Sequence, residues 1–428
     1  MNYDSRRWVS LVACTIASMC AGLSYAWSVF QKPLVGLFNW APADVSLSFT
    51  LIMSTAGTTA IFAGKALDYM QPRQLVLLGG LLFGSGIAGM GFIQSLFQLY
   101  LCAALAGAGL GTVYPGGTMI NMVRFFPDRR GLASGLLTGG CGVGPVMWAP
   151  VSVVLVAQFG ILTTLKILGV VIIVVVGAAS RLIATAPDGY RPAGWTPAPA
   201  LQVSYGVEKT WRQMLKDPAF YFLAGMLTLG YINGMMLIGH ASPIAQDLAR
   251  ITPQEAAVVV GLLAVFNTGG RVCWGWISDK IGRNAVVVVL FILGGAGMGA
   301  MTMVTSYYPL VGVVAVLGLC YGGFMALIAP FTADLFGTKN LGVNFGILFL
   351  TVALAAYVGP LLAAVAKQAY GGYSQAFFIA IFLNLAGLLI FGAFRLYWNK
   401  TAARLTAQSS APAAAAGAKS GAEAREAT

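Results

Sequence analysis

The sequence predicts an all-α membrane protein with twelve transmembrane helices in two pseudo-symmetric six-helix bundles. Three observations lead there: a composition too apolar for a water-facing surface, twelve apolar runs of bilayer length, and an echo of the first half of the chain in the second.

Residues of the AVILMFWYC set fill 58% of 428 positions and charged residues only 9%, with a mean hydropathy of +0.81. A water-facing fold carries about 25% charged residues, so most of this surface must face lipid. The 54 glycines suit membrane helices, because small residues let two backbones approach closely. A net charge of +12 does not point to nucleic acid, since the positive residues fall in short loops between apolar runs. Cys14, Cys20, Cys102, Cys141, Cys273 and Cys320 lie inside apolar runs with no C-x-x-C pair, and His240 is the only histidine. Neither a metal site, a disulfide framework nor a cofactor is expected.

A bilayer core of about 30 Å needs about 20 apolar residues per helix. Such runs lie near 8–36, 44–64, 74–95, 97–122, 132–158 and 163–184, then near 218–245, 254–276, 285–305, 307–333, 343–367 and 374–396. The first follows Arg6 and Arg7 but is far longer than the apolar core of a signal peptide, so it reads as a helix. Of the 25 Lys and Arg residues, all but Lys32, Lys166, Arg250, Arg271 and Lys367 fall on one side when both termini are placed together. That side is the cytoplasm by the positive-inside rule. The domains are then a bundle at 1–185, a cytoplasmic loop at 186–217, a bundle at 218–397, and a tail at 398–428. The tail is Ala/Ser/Gly-rich without apolar period and reads as disordered.

The halves repeat. Gly64-Lys-Ala-Leu-Asp68 after the second span returns, displaced by 211 residues, as Gly275-Trp-Ile-Ser-Asp279 after the eighth. Gly144-Pro145 returns as Gly359-Pro360, and Phe126 and Phe336 open equivalent loops. Duplicated halves with a site at their interface are a transporter architecture. The stretch Gly275 to Asp279, Lys280, Gly282 and Arg283 resembles the signature loop of the major facilitator superfamily. The first copy keeps Gly64, Asp68 and Arg73 but has Gln71 where the second glycine belongs. The resemblance implies a gating role for Asp68, Arg73, Asp279 and Arg283. A carboxylate there can meet a helix N-terminus and pair with Arg. Ser24-Tyr-Ala-Trp-Ser-Val-Phe30, Phe126-Pro-Asp-Arg-Arg-Gly-Leu-Ala-Ser-Gly135 and Asn267-Thr-Gly-Gly-Arg271 are similar to the oxalate/formate antiporter family, bacterial relatives of the monocarboxylate transporters. The similarity covers nearly the whole chain outside the central loop and tail.

Arg271 stands about 15 residues into the eighth span, roughly 23 Å deep at 1.5 Å per residue. A charge inside a membrane helix usually marks a substrate pathway. The alternative is an arginine snorkelling to a face less than about 10 Å away. The resemblance puts the family's carboxylate-binding arginine here, and a guanidinium suits it by donating two parallel hydrogen bonds. Asn267 lies one turn earlier on the same face, and its neutrality leaves the Arg charge free. No Asp or Glu falls in the middle of any span. Val352 occupies the position of the lysine found in oxalate-transporting members. By the same resemblance Tyr25, Trp27, Tyr114, Tyr321 and Phe349 line the cavity, where lipid- or helix-facing packing is the alternative for each. Lys166 reads as a snorkelling residue, and His240 has no assigned role.

The expected protein is a monomeric secondary transporter in a bacterial inner membrane. It would carry a small monocarboxylate (formate, lactate or pyruvate class) with a proton or in exchange for another anion. Its rivals are an oxalate/formate-type dicarboxylate exchanger and a non-transporting membrane sensor. An enzyme is not expected, because no nucleophile–base pair or intramembrane carboxylate pair is visible.

Overall fold

The structure is a computed structural model and describes residues 3–187, 189–192, 195 and 208–426. Within the expected central loop, residues 188, 193–194 and 196–207 lie outside the described residues.

No strand occurs among the described residues. Helix α1 (Tyr3–Ala21) passes through a 3₁₀ turn, Gly22–Ala26, into α2 (Ser28–Phe38), so the first span is broken in its middle. Then follow α3 (Pro42–Ala66), α4 (Pro72–Gly89) and α5 (Leu96–Gly111). A π-helical segment, Thr112–Met119, leads to α6 (Ile120–Phe125). Helix α7 runs over Arg130–Leu182 and the short α8 over Trp211–Lys216. The second half holds α9 (Pro218–Ala249), α10 (Pro253–Ile281), α11 (Arg283–Met301), α12 (Tyr307–Phe336), α13 (Leu341–Tyr370) and α14 (Ser374–Glu426).

Eleven of these helical segments are long and apolar enough to cross a membrane. Helix α7 has 53 residues, and its path breaks at Gly160, with φ 74° and ψ 166°. Fifty residues of helix would reach about 75 Å, more than two bilayer cores. A side chain at that φ would be strained, so glycine makes the reversal. Helix α7 therefore supplies the fifth and sixth spans, and the total is twelve.

Local chemistry sets the other ends. Thr252 and Glu255 form a capping box at the start of α10, ahead of Pro253, satisfying N–H groups that the first turn leaves unbonded. The last helix continues to Glu426, past 397 where the apolar pattern stops and where the sequence reads as disordered. The tail is rich in alanine, the best intrinsic helix former, which is the local reason for helix there. Asp217 caps α9 through the Ala219 N–H. Burial raises its carboxyl, but Lys209, the Ala219 N–H and the Tyr397 hydroxyl outweigh that and hold it below the usual carboxylate range.

Glycine contacts decide the packing between halves. A Cβ on Gly64 would fall 2.3 Å from the backbone of Gly342, and one on Gly275 would fall 2.3 Å from the Gly131 carbonyl oxygen. These four residues form two related crossings: α3 on α13, and α10 on α7. Adding 211 to 64 and 131 gives 275 and 342, so the crossings are pseudo-two-fold copies.

Candidate functional site

Arg271 is 13 residues from one end of its membrane-spanning stretch, Val258–Ile281, and 10 from the other. That places it about 20 Å and about 15 Å from the two ends by helical rise. The near face is thus farther than the snorkelling alternative requires, and the side chain is only 6% exposed. Its surroundings explain the direction. Gly135 and Gly142 of α7 lie against the Arg271 backbone and guanidinium, leaving space that larger residues would fill.

The guanidinium is held on two sides. Nε donates to Asn267 Oδ1 at 3.2 Å, and Nη1 donates to the Thr138 carbonyl of α7 at 2.7 Å. The second bond crosses from one half to the other. A guanidinium has five N–H donors, so three have no protein acceptor among the described residues, and no carboxylate pairs with this arginine there. A buried cation without an internal counter-ion is the arrangement an anionic ligand completes.

Around it stand Tyr25, Tyr114 and Tyr321 and the Cys141 thiol, all close enough to interact with its charge. Tyr25 is half exposed, whereas Tyr114 and Tyr321 are buried. Tyr114 belongs to the π-helical segment with Pro115, Gly116 and Gly117. The Tyr321 hydroxyl faces Met235 Sδ at 3.7 Å. Trp27 is buried with its indole N–H unpartnered among the described residues. Phe349 is half-buried against Phe345, with ring centroids 5.7 Å apart, and nothing joins it to Arg271.

Sequence reasoning missed three members of this group. Thr138 acts through its backbone, which no side-chain pattern reveals. Tyr231 is buried and within range of the arginine, its hydroxyl donating to the Phe324 carbonyl at 3.2 Å. Cys141 had a signal: it stands 211 residues before Val352.

A second constellation lies at the end carrying the signature loops. Asp279 accepts from the backbone N–H groups of Gly131 at 2.9 Å and Leu132 at 2.8 Å, in the first turn of α7. Arg283 pairs with Asp279 at 2.8 Å and with Asp334 at 3.1 Å, while Arg130 reaches Asp334 at 2.5 Å. Asp334 stands alone at a helix end and was not singled out by sequence, and Arg130 was quoted only within the Phe126–Gly135 block, with no role of its own. Arg124 adds bonds to the carbonyls of Thr338 and Lys339, and Ser134 donates to the Ala326 carbonyl. A ladder of hydrogen bonds thus joins the halves from Arg271 to the signature loops, closing this end. The first-half residues differ. Asp68 pairs with Lys65 of its own helix at 2.6 Å, and Arg73 is exposed with no ion pair among the described residues.

Three comparisons bear on this geometry. The profile of the Major Facilitator Superfamily matches residues 12–283 and 231–423. The chain is 28% identical to the oxalate:formate antiporter of Oxalobacter formigenes, covering 87% of this chain and 88% of that protein. It is 27% identical to the uncharacterized MFS-type transporter YhjX of Escherichia coli, over 82% and 85%. It is 25% identical to human monocarboxylate transporter 12, over 95% and 84%. Among solved structures, the transporter FucP in its outward conformation superposes with a TM-score of 0.70 at 13% identity, covering 90% of this chain and 98% of that one.

Proposed function

Because the chain belongs to the Major Facilitator Superfamily, we propose that it is a secondary transporter of small monocarboxylates working by alternating access. One observation carries the reading: Arg271 is buried at mid-depth, between the halves, with no carboxylate partner among the described residues. The guanidinium receives the carboxylate through donors that the protein leaves open. Asn267 orients it without neutralising it. Tyr25, Tyr114, Tyr321 and Trp27 surround the remainder of a small acid, excluding water and offering O–H and N–H donors. The cross-half bond to Thr138 gives the ligand a way to act on both halves, since binding and clamping draw on one side chain.

Charge matching selects the class. One fixed cation neutralises one carboxylate, and a second carboxylate would stay unpaired at a cost of several kcal/mol. The names of the relatives, an oxalate:formate antiporter and monocarboxylate transporters, support a small carboxylate as cargo. They also keep oxalate exchange as the second reading. The conformation described is closed at the signature-loop end, which the positive residues assign to the cytoplasm. The substrate path then opens to the outside of a bacterial inner membrane, with both termini inside and the chain acting as a monomer. Asp279, Arg283, Arg130 and Asp334 form the cytoplasmic gate.

The test is uptake of labelled formate, lactate and oxalate by proteoliposomes, with and without a pH gradient. Saturable monocarboxylate transport is expected, lost in Arg271→Ala and strongly impaired in Arg271→Lys, which keeps the charge but not the planar fork. Oxalate transport that survives Arg271→Ala overturns the reading.

A further inference from the structure

His240 has no part in the site above, yet its surroundings are unusual. It lies in α9 at a break, with φ −130° and ψ 17°, three residues before Pro243. Proline lacks an N–H, so the Gly239 carbonyl has no helical donor. Gly239 itself lies under the Pro360 ring of α13, where a Cβ would come within 2.8 Å. The break is therefore a built joint between two proline-interrupted helices. It stands five residues beyond Met235, whose sulfur meets the Tyr321 hydroxyl. By helical rise that is about 7 Å outward from the wall of the candidate site.

The His240 Nδ1 is buried without a hydrogen-bond partner among the described residues. The ring meets Tyr373 edge-on, centroids 6.0 Å apart. Tyr373 in turn lies beneath the Lys367 ammonium, 5.4 Å from its ring centroid, and Lys367 pairs with Asp247 of α9. The charged and titratable groups around His240 are thus Asp247 on its own helix, Lys367 on α13, and Tyr373 in the turn between α13 and α14. The two charges already neutralise each other.

We propose that His240 is the proton-responsive residue of the outer mouth, coupling its protonation to the alternating-access equilibrium. The idea rests on the transporter reading above. An imidazole ordinarily changes charge between pH 5 and 8, and both nitrogens become donors when it does. In the conformation described, a proton on Nδ1 has no acceptor and adds a cation beside a matched pair. An unsatisfied buried donor costs about 1–3 kcal/mol. Protonation therefore disfavours this conformation and drives the joint in α9 toward one where Nδ1–H finds a partner. In a two-state cycle, the alternative to the conformation described is the one with the outer mouth closed. His240 acts through the helix and does not touch substrate, so it is a positioning residue.

The experiment measures the outer mouth without substrate. Spin labels at Gln94→Cys, in the loop before α5, and Tyr308→Cys, in the first turn of α12, lie opposite the signature end on different halves and report its width in lipid nanodiscs, with exposed Cys273 replaced by Ser. The wild-type distribution is expected to shift to shorter distances as pH falls from 8 to 5.5, with the closed fraction rising roughly threefold or more. His240→Gln should be flat with pH near the high-pH distribution, and His240→Arg flat near the low-pH one. In proteoliposomes the pH dependence of monocarboxylate KM should vanish in both. A wild type that does not respond, or a His240→Gln that responds as the wild type does, overturns the proposal. Because the distances need no cargo, they stand even if monocarboxylate uptake fails.

Discussion

The two crossings between halves share a backbone plan and differ in nearly everything attached to it. At both, glycine meets glycine: Gly275 on Gly131, and Gly64 on Gly342. Farther in, Gly135 lies against Arg271 and Val272, and its counterpart Gly346 lies against Ile61. The α10–α7 crossing then carries charge at two depths, with Asp279 capping α7 and Arg271 bonded to Thr138. Subtracting 211 from 271 gives Ala60, so the α3–α13 crossing is apolar where its copy holds the arginine. At its end Asp68 turns to Lys65, and a cleft of about 460 Å³ remains among Gly64, Lys65, Asp68, Trp211, Asn340 and Val343. Duplication supplied a symmetric scaffold, while the buried cation and the carboxylate bonded across the halves stand on one copy. The loop geometry shows how. Gly282 adopts φ 87°, which lets Arg283 fold back toward Asp279. Gln71 adopts φ −71° ahead of Pro72, and Arg73 stays outside.

This comparison can be broken or sharpened by substitution. The largest effect is expected where the crossings are alike. Gly275→Val and Gly64→Val should each slow transport by roughly 10–100-fold, since overpacking typically costs 1–3 kcal/mol. They should also raise labelling of Thr338→Cys in inverted vesicles. A normal rate in either would show that close backbone approach does not matter equally at the two crossings. Next comes the latch. Asp279→Asn should lower the rate about tenfold, because bonds from two backbone N–H groups and Arg283 lose their charge assistance. Retained substrate binding by calorimetry would place the loss in the conformational step.

Val352→Lys introduces a cation on the crossing that lacks one, at the position related to Cys141. It is expected to weaken monocarboxylate binding a few-fold and to strengthen oxalate binding, read by competition with labelled formate. Unchanged selectivity would mean that this side of α13 faces away from the ligand. The smallest effects belong to the looser junction. Asp68→Asn breaks only an exposed pair with Lys65 and should change the rate less than about twofold. Glu208→Gln leaves one of the two oxygens that accept from the Thr338 and Lys339 N–H groups and should act as weakly. If Asp68→Asn proves as damaging as Asp279→Asn, the asymmetry between crossings belongs to one state of the cycle only.

Much of this was legible in the residues. Apolar run length, Lys/Arg placement and the 211-residue echo are properties of the chain written one residue at a time, so they announced twelve spans and two halves. Arg271 and Asn267 could be paired because four residues make one helical turn. Asp279 could be matched to a helix N-terminus because a carboxylate at that loop has few other partners. Tertiary structure alone decided which α7 carbonyl the guanidinium reaches, that Cys141 and Tyr231 stand near it, and that Arg130 and Asp334 join the Asp279–Arg283 pair. It also separated Asp279, bonded across the interface, from Asp68, bonded to its own helix. Those outcomes depend on how closely two backbones approach and on a glycine φ of 87° at residue 282. Distances between helices are summed over every contact along them, and no local pattern of residue types records that sum.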